Sequence, residues 1–237
     1  MRLDISKIKF RNVDIKRELI LPEKLTPELA EEIGLHIGDG TMNNYFNKSR
    51  YIGKYSLRGH IIDDVNHYDS RIKTLYKELY NLDFNMCKME STRVYGFQIW
   101  SDGIVNFKHK ILKLPLGYKT NIKIPKFLIN KDDMMVNIIR GIFDTDGCVY
   151  LEPRKNGLYP RLQIGTISKF LAEQLKKGLI KVGLRATIVV ENRENKGWSN
   201  FYVVYVRGDN MIKKWMEIIS PANKKHIDKF HFYMNNS

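Results

Sequence analysis

Residues 33–40 read IGLHIGDG and residues 139–147 read IRGIFDTDG. Each stretch looks like a helix that ends on a carboxylate followed by glycine, Asp39-Gly40 and Asp146-Gly147. That carboxylate is electrostatically out of place. The C-terminal end of a helix carries roughly half a negative charge and prefers Lys, Arg or His. One unfavourable choice made twice in a chain points to a duplicated unit with a shared purpose.

The sequence around the two phrases repeats in the same order. In the first half, Thr26-Pro27 predicts an N-cap with proline in the first turn, and Gly40 predicts the helix stop. Two strands are expected over 41–60, a helix over 63–82, two strands near 84–91 and 93–100, and a helix over 102–114. The 63–82 helix carries Val65, Tyr68, Ile72, Leu75, Tyr76 and Leu79 on one stripe. In the second half, Asp132 or Asp133 is expected to cap the helix, and a strand follows from Cys148. Asn156-Gly157 signals a tight hairpin before a strand near 159–165. Ser168 caps a helix that Gly183 stops, strands follow near 185–193 and 201–207, and a helix spans 209–219. The fold class read from this pattern is α+β, with two pseudo-symmetric αββαββα repeats. The expected divisions are an N-terminal extension over 1–25 and repeats over 26–130 and 131–237.

Gly34 and Gly38 lie four apart in the first phrase, and Gly141 and Thr145 hold the same places in the second. Small residues at that spacing let two helix backbones approach closely. Glycine inside a helix costs about 1 kcal/mol relative to alanine, so a tight contact is expected in return. The natural partner of each helix is its counterpart. If the two cross as a pseudo-twofold pair, Asp39 and Asp146 sit side by side among unsatisfied helix-end carbonyls. Such an oxygen-rich, negative spot suits a hard divalent cation, which can activate water at a phosphate. DTDG also resembles the start of a calcium loop, but the acidic ligand that such a loop needs at its twelfth position is here Lys155. Asp144 reads as structural, because the first copy has Ile37 there.

The bulk properties agree with a polyanion partner. The 237-residue chain has Lys+Arg 40 against Asp+Glu 26, a formal charge of +14, and 43% hydrophobic residues. Its mean hydropathy is -0.38 and its pI about 9.6. The basic residues are spread along the whole chain, so a binding surface has to be built by the fold. No apolar run approaches the length of a membrane span, and the first residues lack a secretory h-region. Two cysteines, Cys87 and Cys148, suit a reducing compartment and leave no disulfide scaffold. The expected location is intracellular and cytoplasmic, on the nucleoid when bound to DNA.

At these residues the chain resembles the LAGLIDADG homing endonucleases. EIGLHIGDG (32–40) and IRGIFDTDG (139–147) match the two signature helices of the single-chain members. YSLRGHIIDD (55–64) and TNIKIPKFL (120–128) are similar to phrases of archaeal-type members. The resemblance covers nearly all the chain from Thr26 onward. It implies signature helices packed at the interface and two antiparallel sheets forming a DNA-binding saddle. The implied reaction is divalent-metal-dependent phosphodiester hydrolysis, leaving a staggered double-strand break at a long, specific DNA site, in the service of intron homing. The implied cofactor is Mg2+, with Mn2+ or Ca2+ as possible occupants. The implied metal-binding carboxylates are Asp39 and Asp146, the pair the helix geometry selects, with Gly38 and Thr145 beside them. Among accessory bases Arg207 matches a basic position, whereas its counterpart in the first half is Trp100, a departure that predicts unequal cutting of the two strands. The expected partner is double-stranded DNA, bound by a monomer without obligate protein partner or membrane. No splicing-junction pattern is evident, so a free-standing protein is expected. The rival readings are an intron RNA maturase and a non-catalytic DNA-binding regulator on the same fold.

Strand alternation selects the DNA-facing side chains. Lys54, Ser56, Arg58 and His60 share one face in the first half. Tyr150, Glu152, Arg154, Arg161 and Gln163 do so in the second. These side chains are of the types that reach base edges and phosphates in a major groove.

Overall fold

The computed structural model describes residues 1–47, 49–155 and 157–236. The element order repeats. In the first half, α2 (Pro27–Gly38) leads into β1 (Gly40–Asn47) and β2 (Arg50–His60). A helix follows in three parts, α3 (Val65–His67), a π-helical turn (Tyr68–Ile72) and α4 (Lys73–Tyr80). Then come β3 (Cys87–Met89), β4 (Val94–Trp100) and α5 (Asp102–Asn106), the last prolonged by a π-helical turn over Phe107–Ile111. The second half runs α6 (Asp132–Asp146), β5 (Gly147–Arg154), β6 (Gly157–Thr166), α7 (Lys169–Lys181), β7 (Ala186–Glu191), β8 (Phe201–Arg207) and α8 (Asp209–Ile218). Among the described residues the strands form two four-stranded antiparallel sheets, ordered β1-β2-β4-β3 and β5-β6-β8-β7. The register repeats as well. Lys54 stands opposite Trp100 in one sheet, and Arg161 opposite Arg207 in the other. The predicted αββαββα repeat is therefore present in both halves, in an α+β fold.

The local chemistry explains the boundaries. Thr26 accepts a hydrogen bond from the Leu29 amide at 3.2 Å, with Pro27 in the first turn of α2. Ser168 caps α7 in the same way through Leu171, at 3.3 Å. Two expectations need correction. The N-cap of α6 is Lys131, and Asp132 and Asp133 lie in its first turn, where their charge favours the helix N-terminus. Gly40 and Gly147 are not left-handed helix caps but the first residues of β1 and β5. Glycine is needed there because a Cβ on Gly40 would press on the His36 backbone and one on Gly147 on the Phe143 ring. Asn156 of the hairpin signal lies outside the described residues; the strands it joins meet at Arg154 and Gly157.

Two segments add to the αββαββα pattern of the two halves. Residues 1–25 fold onto the first half. Leu3, Ile8, Leu19, Leu21 and Leu25 are buried, and the five-residue α1 (Asn12–Lys16) places buried Asp14 so that it accepts from the Gly103 amide at 3.2 Å. After α8, the chain adds α9 (Lys224–Asn235), which packs against β5. Among the described residues, no helix is long and apolar enough to cross a membrane.

The core is laid down by one face of each sheet. Tyr55, Leu57, Phe97 and Ile99 in the first half, and Val149, Leu162, Ile164, Val204 and Val206 in the second, are buried. The stripes of α4 and α7 cover them with Leu75, Tyr76 and Leu79, and with Leu171, Leu175 and Leu179. Within the first core lies a fully buried ion pair, Lys108 with Glu32 of α2. Glu32 also accepts from Tyr76 (2.5 Å) and Tyr80 (3.1 Å), so its carboxylate is satisfied by three donors. Removing one partner strands a charge in the core. Lys108→Met is expected to cost about 3–5 kcal/mol, whereas Lys108→Met with Glu32→Gln recovers much of that. Urea unfolding midpoints measure both; equal losses in the single and double variants would refute this account.

Candidate active site at the crossed helices

α2 and α6 form the central contact of the molecule. Their backbones touch where the small residues lie. A Cβ on Gly34 would lie 3.0 Å from the Gly141 Cα, and one on Gly141 would lie 2.7 Å from the Leu35 nitrogen. At the C-terminal ends, a Cβ on Gly38 would collide with the Thr145 hydroxyl and approach an Asp146 carboxylate oxygen at 3.4 Å. Gly34, Gly38, Gly141 and Thr145 are thus together at the interface, and both helices deliver their aspartates to the same end.

Asp39 and Asp146 are close enough to raise the cost of ionising the pair. Burial, then the charge of Asp146, pushes Asp39 up to about 7, against the hydrogen bond it accepts from the Tyr68 hydroxyl at 2.9 Å. Tyr68 sits on the π-helical turn, a distortion common at functional sites. Burial also raises Asp146, opposed by Lys119 and Lys225. Carboxylates held this unfavourably fit a cationic ligand. Among the described residues no group of three or more His, Cys, Asp or Glu could hold a metal. A cation here would rest on the two carboxylates and helix-end carbonyls, the oxygen-rich set that hard cations accept.

Each aspartate opens into its own pocket. One, of about 520 Å³, is lined by Asp39, Thr145, Arg58, His60, Asp64 and Lys225 among others. The other, of about 250 Å³, is lined by Asp146, Gly38, Lys119, Thr166, Ile167 and Leu171 among others. Each therefore combines an aspartate from one repeat with a small residue from the opposite helix, and adds a lysine. The Lys119 ammonium donates to the carbonyls of Ile37 (2.9 Å) and Gly38 at the end of α2. Burial lowers its pKa, against the pull of Asp146 and Asp39. The Lys225 ammonium donates to Asp64 at 2.7 Å.

Lys119, Lys225, Asp64 and Tyr68 are the site residues that motif reading misses. A signal existed for the lysines, since each half carries one shortly after its closing helix. For Tyr68 there was none, because its partner lies in another element, and Asp64 stood out only as the end of the YSLRGHIIDD phrase. Arg207, read as an accessory base, lines neither pocket. It stands on the sheet face, its guanidinium 4.6 Å from the centre of the Tyr205 ring. Thr145 turns its hydroxyl back onto the carbonyls of Gly141 and Ile142, both at 3.0 Å, leaving its own carbonyl as the oxygen it can offer. Asp144 is buried and accepts from the Ala222 and Asn223 amides at 2.9 and 3.1 Å, so it anchors the chain between α8 and α9.

The sheet faces opposite the core carry the predicted polar side chains with one exception. Lys54 lies over Trp100 (5.4 Å), and Arg58 donates to Gln98 at 2.5 Å. His60 pairs with Asp63 at 3.0 Å at the mouth of the Asp39 pocket. Ser56 is the exception: it is 7% exposed, and its hydroxyl is engaged with Thr41 at 2.7 Å. In the second sheet Tyr150 is exposed, and Gln163 stands opposite Tyr205. Glu152 is flanked by Arg161 (2.5 Å) and Arg154 (3.6 Å), whose hydrogen bonds and charge hold its carboxyl below the usual range. Arg161 also lies 5.2 Å from the Tyr150 ring centre.

Residues 133–219 match the LAGLIDADG-like domain family. Solved structures of similar fold include the homing endonuclease I-DmoI in complex with DNA and Ca, at 18% identity, covering 83% of this chain and 91% of that one, TM-score 0.60. The I-LtrWI LAGLIDADG homing endonuclease bound to target DNA matches at 13% identity, covering 88% and 89%, TM-score 0.57. The LAGLIDADG meganuclease I-AabMI bound to uncleaved DNA matches at 11%, covering 86% and 88%, TM-score 0.53. Among curated proteins, the chain is 23% identical over 235 residues to glutamine–fructose-6-phosphate aminotransferase (isomerizing) of Methanocaldococcus jannaschii. That match takes in 98% of this chain but spans only about a fifth, 20%, of the relative's length. Residues 133–219 thus match a LAGLIDADG-like domain, and the two-repeat fold over most of the length is similar to that of these solved LAGLIDADG homing endonucleases.

Proposed function

We propose that the protein is a site-specific DNA endonuclease that hydrolyses both strands of a long double-stranded target with a divalent cation, leaving staggered ends. The observation that carries this reading is the pair of buried helix-end aspartates, each in its own pocket beside its own lysine. The fold shared with homing endonucleases solved on DNA supports it, as do solved I-DmoI complexes with Ca and Mn. The protein acts as a monomer inside the cell.

Asp39 and Asp146, with the carbonyls of Gly38 and Thr145, would hold the cation, Mg2+ in the first instance. Bound there, it supplies the charge that polarises a scissile phosphate and acidifies a water. Tyr68 orients Asp39. Lys119 and Lys225 present ammonium groups to phosphate oxygens at the two pockets. Arg58 and His60 stand at one pocket mouth to fix the backbone entering it. Lys54, Arg154, Arg161, Arg207, Tyr150 and Gln163 meet the duplex on the sheet faces; base edges among these contacts set the sequence preference.

Incubation of the full chain with a randomised duplex library and Mg2+, followed by sequencing of the ends produced, is the test. Recovery of one recurrent site with staggered ends, abolished by EDTA, is the expected result. Binding to the recovered duplex in EDTA is expected to weaken by about 0.9 log units per neutralised phosphate for each tenfold rise in salt. A library left intact while a structured RNA is bound tightly would replace this reading with a maturase.

A further inference from the structure

The two pockets hold matching positions in the repeat, yet one wall differs in kind. The shared register of β2 and β6 places His60 in correspondence with Ile167, and Asp64 with Leu171. In the Asp146 pocket that wall is apolar. In the Asp39 pocket it is a carboxylate only 4% exposed. Its Oδ2 accepts from the His60 amide at 2.7 Å. Its Oδ1 accepts from the Asn223 side-chain amide at 2.8 Å and from the Lys225 ammonium at 2.7 Å. Both of those donors come from the second repeat, at the entry to α9.

Asn223 caps α9 by accepting from the Lys225 amide at 3.2 Å, and it donates to the Asp144 carbonyl at 2.8 Å. The entry to α9 is thus clasped on one side by the end of α6 and on the other by Asp64 of the first repeat. A buried carboxylate stripped of a charged partner is costly, so the Lys225 ammonium is kept at this oxygen. Among the described residues Lys119 has no such carboxylate clasp. Its ammonium rests on the helix-end carbonyls of Ile37 and Gly38, which belong to the site itself.

We propose that Asp64 is a positioning residue: it fixes Lys225 in the Asp39 pocket, so that cutting of one DNA strand depends on a bond across the repeat interface that the other pocket lacks. The proposal rests on the nuclease reading above. It relocates the inequality of the two strands from the Trp100–Arg207 difference on the sheet faces to the wall of the pockets.

The test uses the full chain, Mg2+ and the duplex recovered from the library, with each strand labelled separately. Asp64→Asn keeps the shape and removes the charge. Asp64→Leu installs the residue of the other pocket. Both variants are expected to slow one strand by about tenfold, the worth of a charge-assisted hydrogen bond, and the other by less than about twofold. Nicked product then accumulates, and Asp64→Glu restores part of the lost rate. Both strands slowing in parallel, with their ratio unchanged, would mean a merely structural role and overturn the proposal. A second readout needs no cleavage. Lysines are dimethylated with a 13C label, and the Lys225 and Lys119 signals are assigned with Lys225→Arg and Lys119→Arg. Asp64→Asn is expected to move the Lys225 signal toward that of a free lysine and to leave the Lys119 signal in place. An unmoved Lys225 signal overturns the proposal on its own, whereas failure of the unaltered chain to cut any library member counts against the nuclease reading alone.

Discussion

Asp39→Asn and Asp146→Asn are each expected to lower strand cleavage by about three orders of magnitude, the rate equivalent of several kcal/mol of metal-derived stabilisation, while the protein becomes more stable. Loss of activity with gain of stability is the signature of a group placed against its own preference. In the metal-free protein each carboxylate is buried, and Asp39 faces a second one. The sign follows from proton counting. The folded pKa of Asp39 is about 7, against an ordinary value of 3.8, so the folded chain holds a proton that the unfolded chain has released between those limits. Its contribution is present at low pH and is lost as pH rises toward 7. Metal-free protein is therefore expected to melt at a lower temperature at pH 8 than at pH 5. Asp144, also raised to about 7 by burial, adds to the same slope. Asp39→Asn flattens the slope without abolishing it, and Mg2+ raises the melting temperature of the unaltered chain but not of the variant. Thermal melts at the two pH values, with and without Mg2+, measure this. A variant that melts lower than the parent at pH 8 would contradict the electrostatic account.

Gly141→Val is expected to destabilise the protein by at least about 3 kcal/mol, because the added atoms meet backbone and not movable side chains. The Cβ alone would lie 2.7 Å from the Leu35 nitrogen and 3.0 Å from the Gly34 carbonyl carbon. Neither helix can yield without dragging the other, since the same contact repeats at Gly34. For a chain of this length the corresponding fall in melting temperature is about 10 °C. Gly178→Ala on α7 is the control. There the new methyl meets the flexible Met135 side chain, first at its Cγ at 2.9 Å, and alanine returns up to about 1 kcal/mol of helix propensity. The prediction is a large loss at one helical glycine and little change at the other, and similar losses at both would show that backbone contact is not what matters.

The two Asp-Gly phrases made the duplicated architecture legible, because helix periodicity, capping residues and hydrophobic stripes are local properties. They also made the aspartate pair legible, since one register repeated in two helices puts the same residue at both ends. The cap of α6 falls on Lys131, a residue with no capping side-chain bond, because the backbone path and not side-chain chemistry sets Asp132 and Asp133 just inside the first turn. The pocket lysines were visible only as basic residues shortly after each half's closing helix. What made them site residues was the return of the loop after α5 and of the entry to α9 onto the helix ends, a long-range packing event with no local signature. Ser56 alternates like a surface residue, yet Thr41 across the sheet takes its hydroxyl. The sequence by itself determined the two-repeat fold, the contacting helices and the two carboxylates, because each follows from spacing along the chain. Only the tertiary structure decided which cations stand beside those carboxylates and that Asp64 bridges the repeats, because burial and cross-chain distance are set by how distant segments pack.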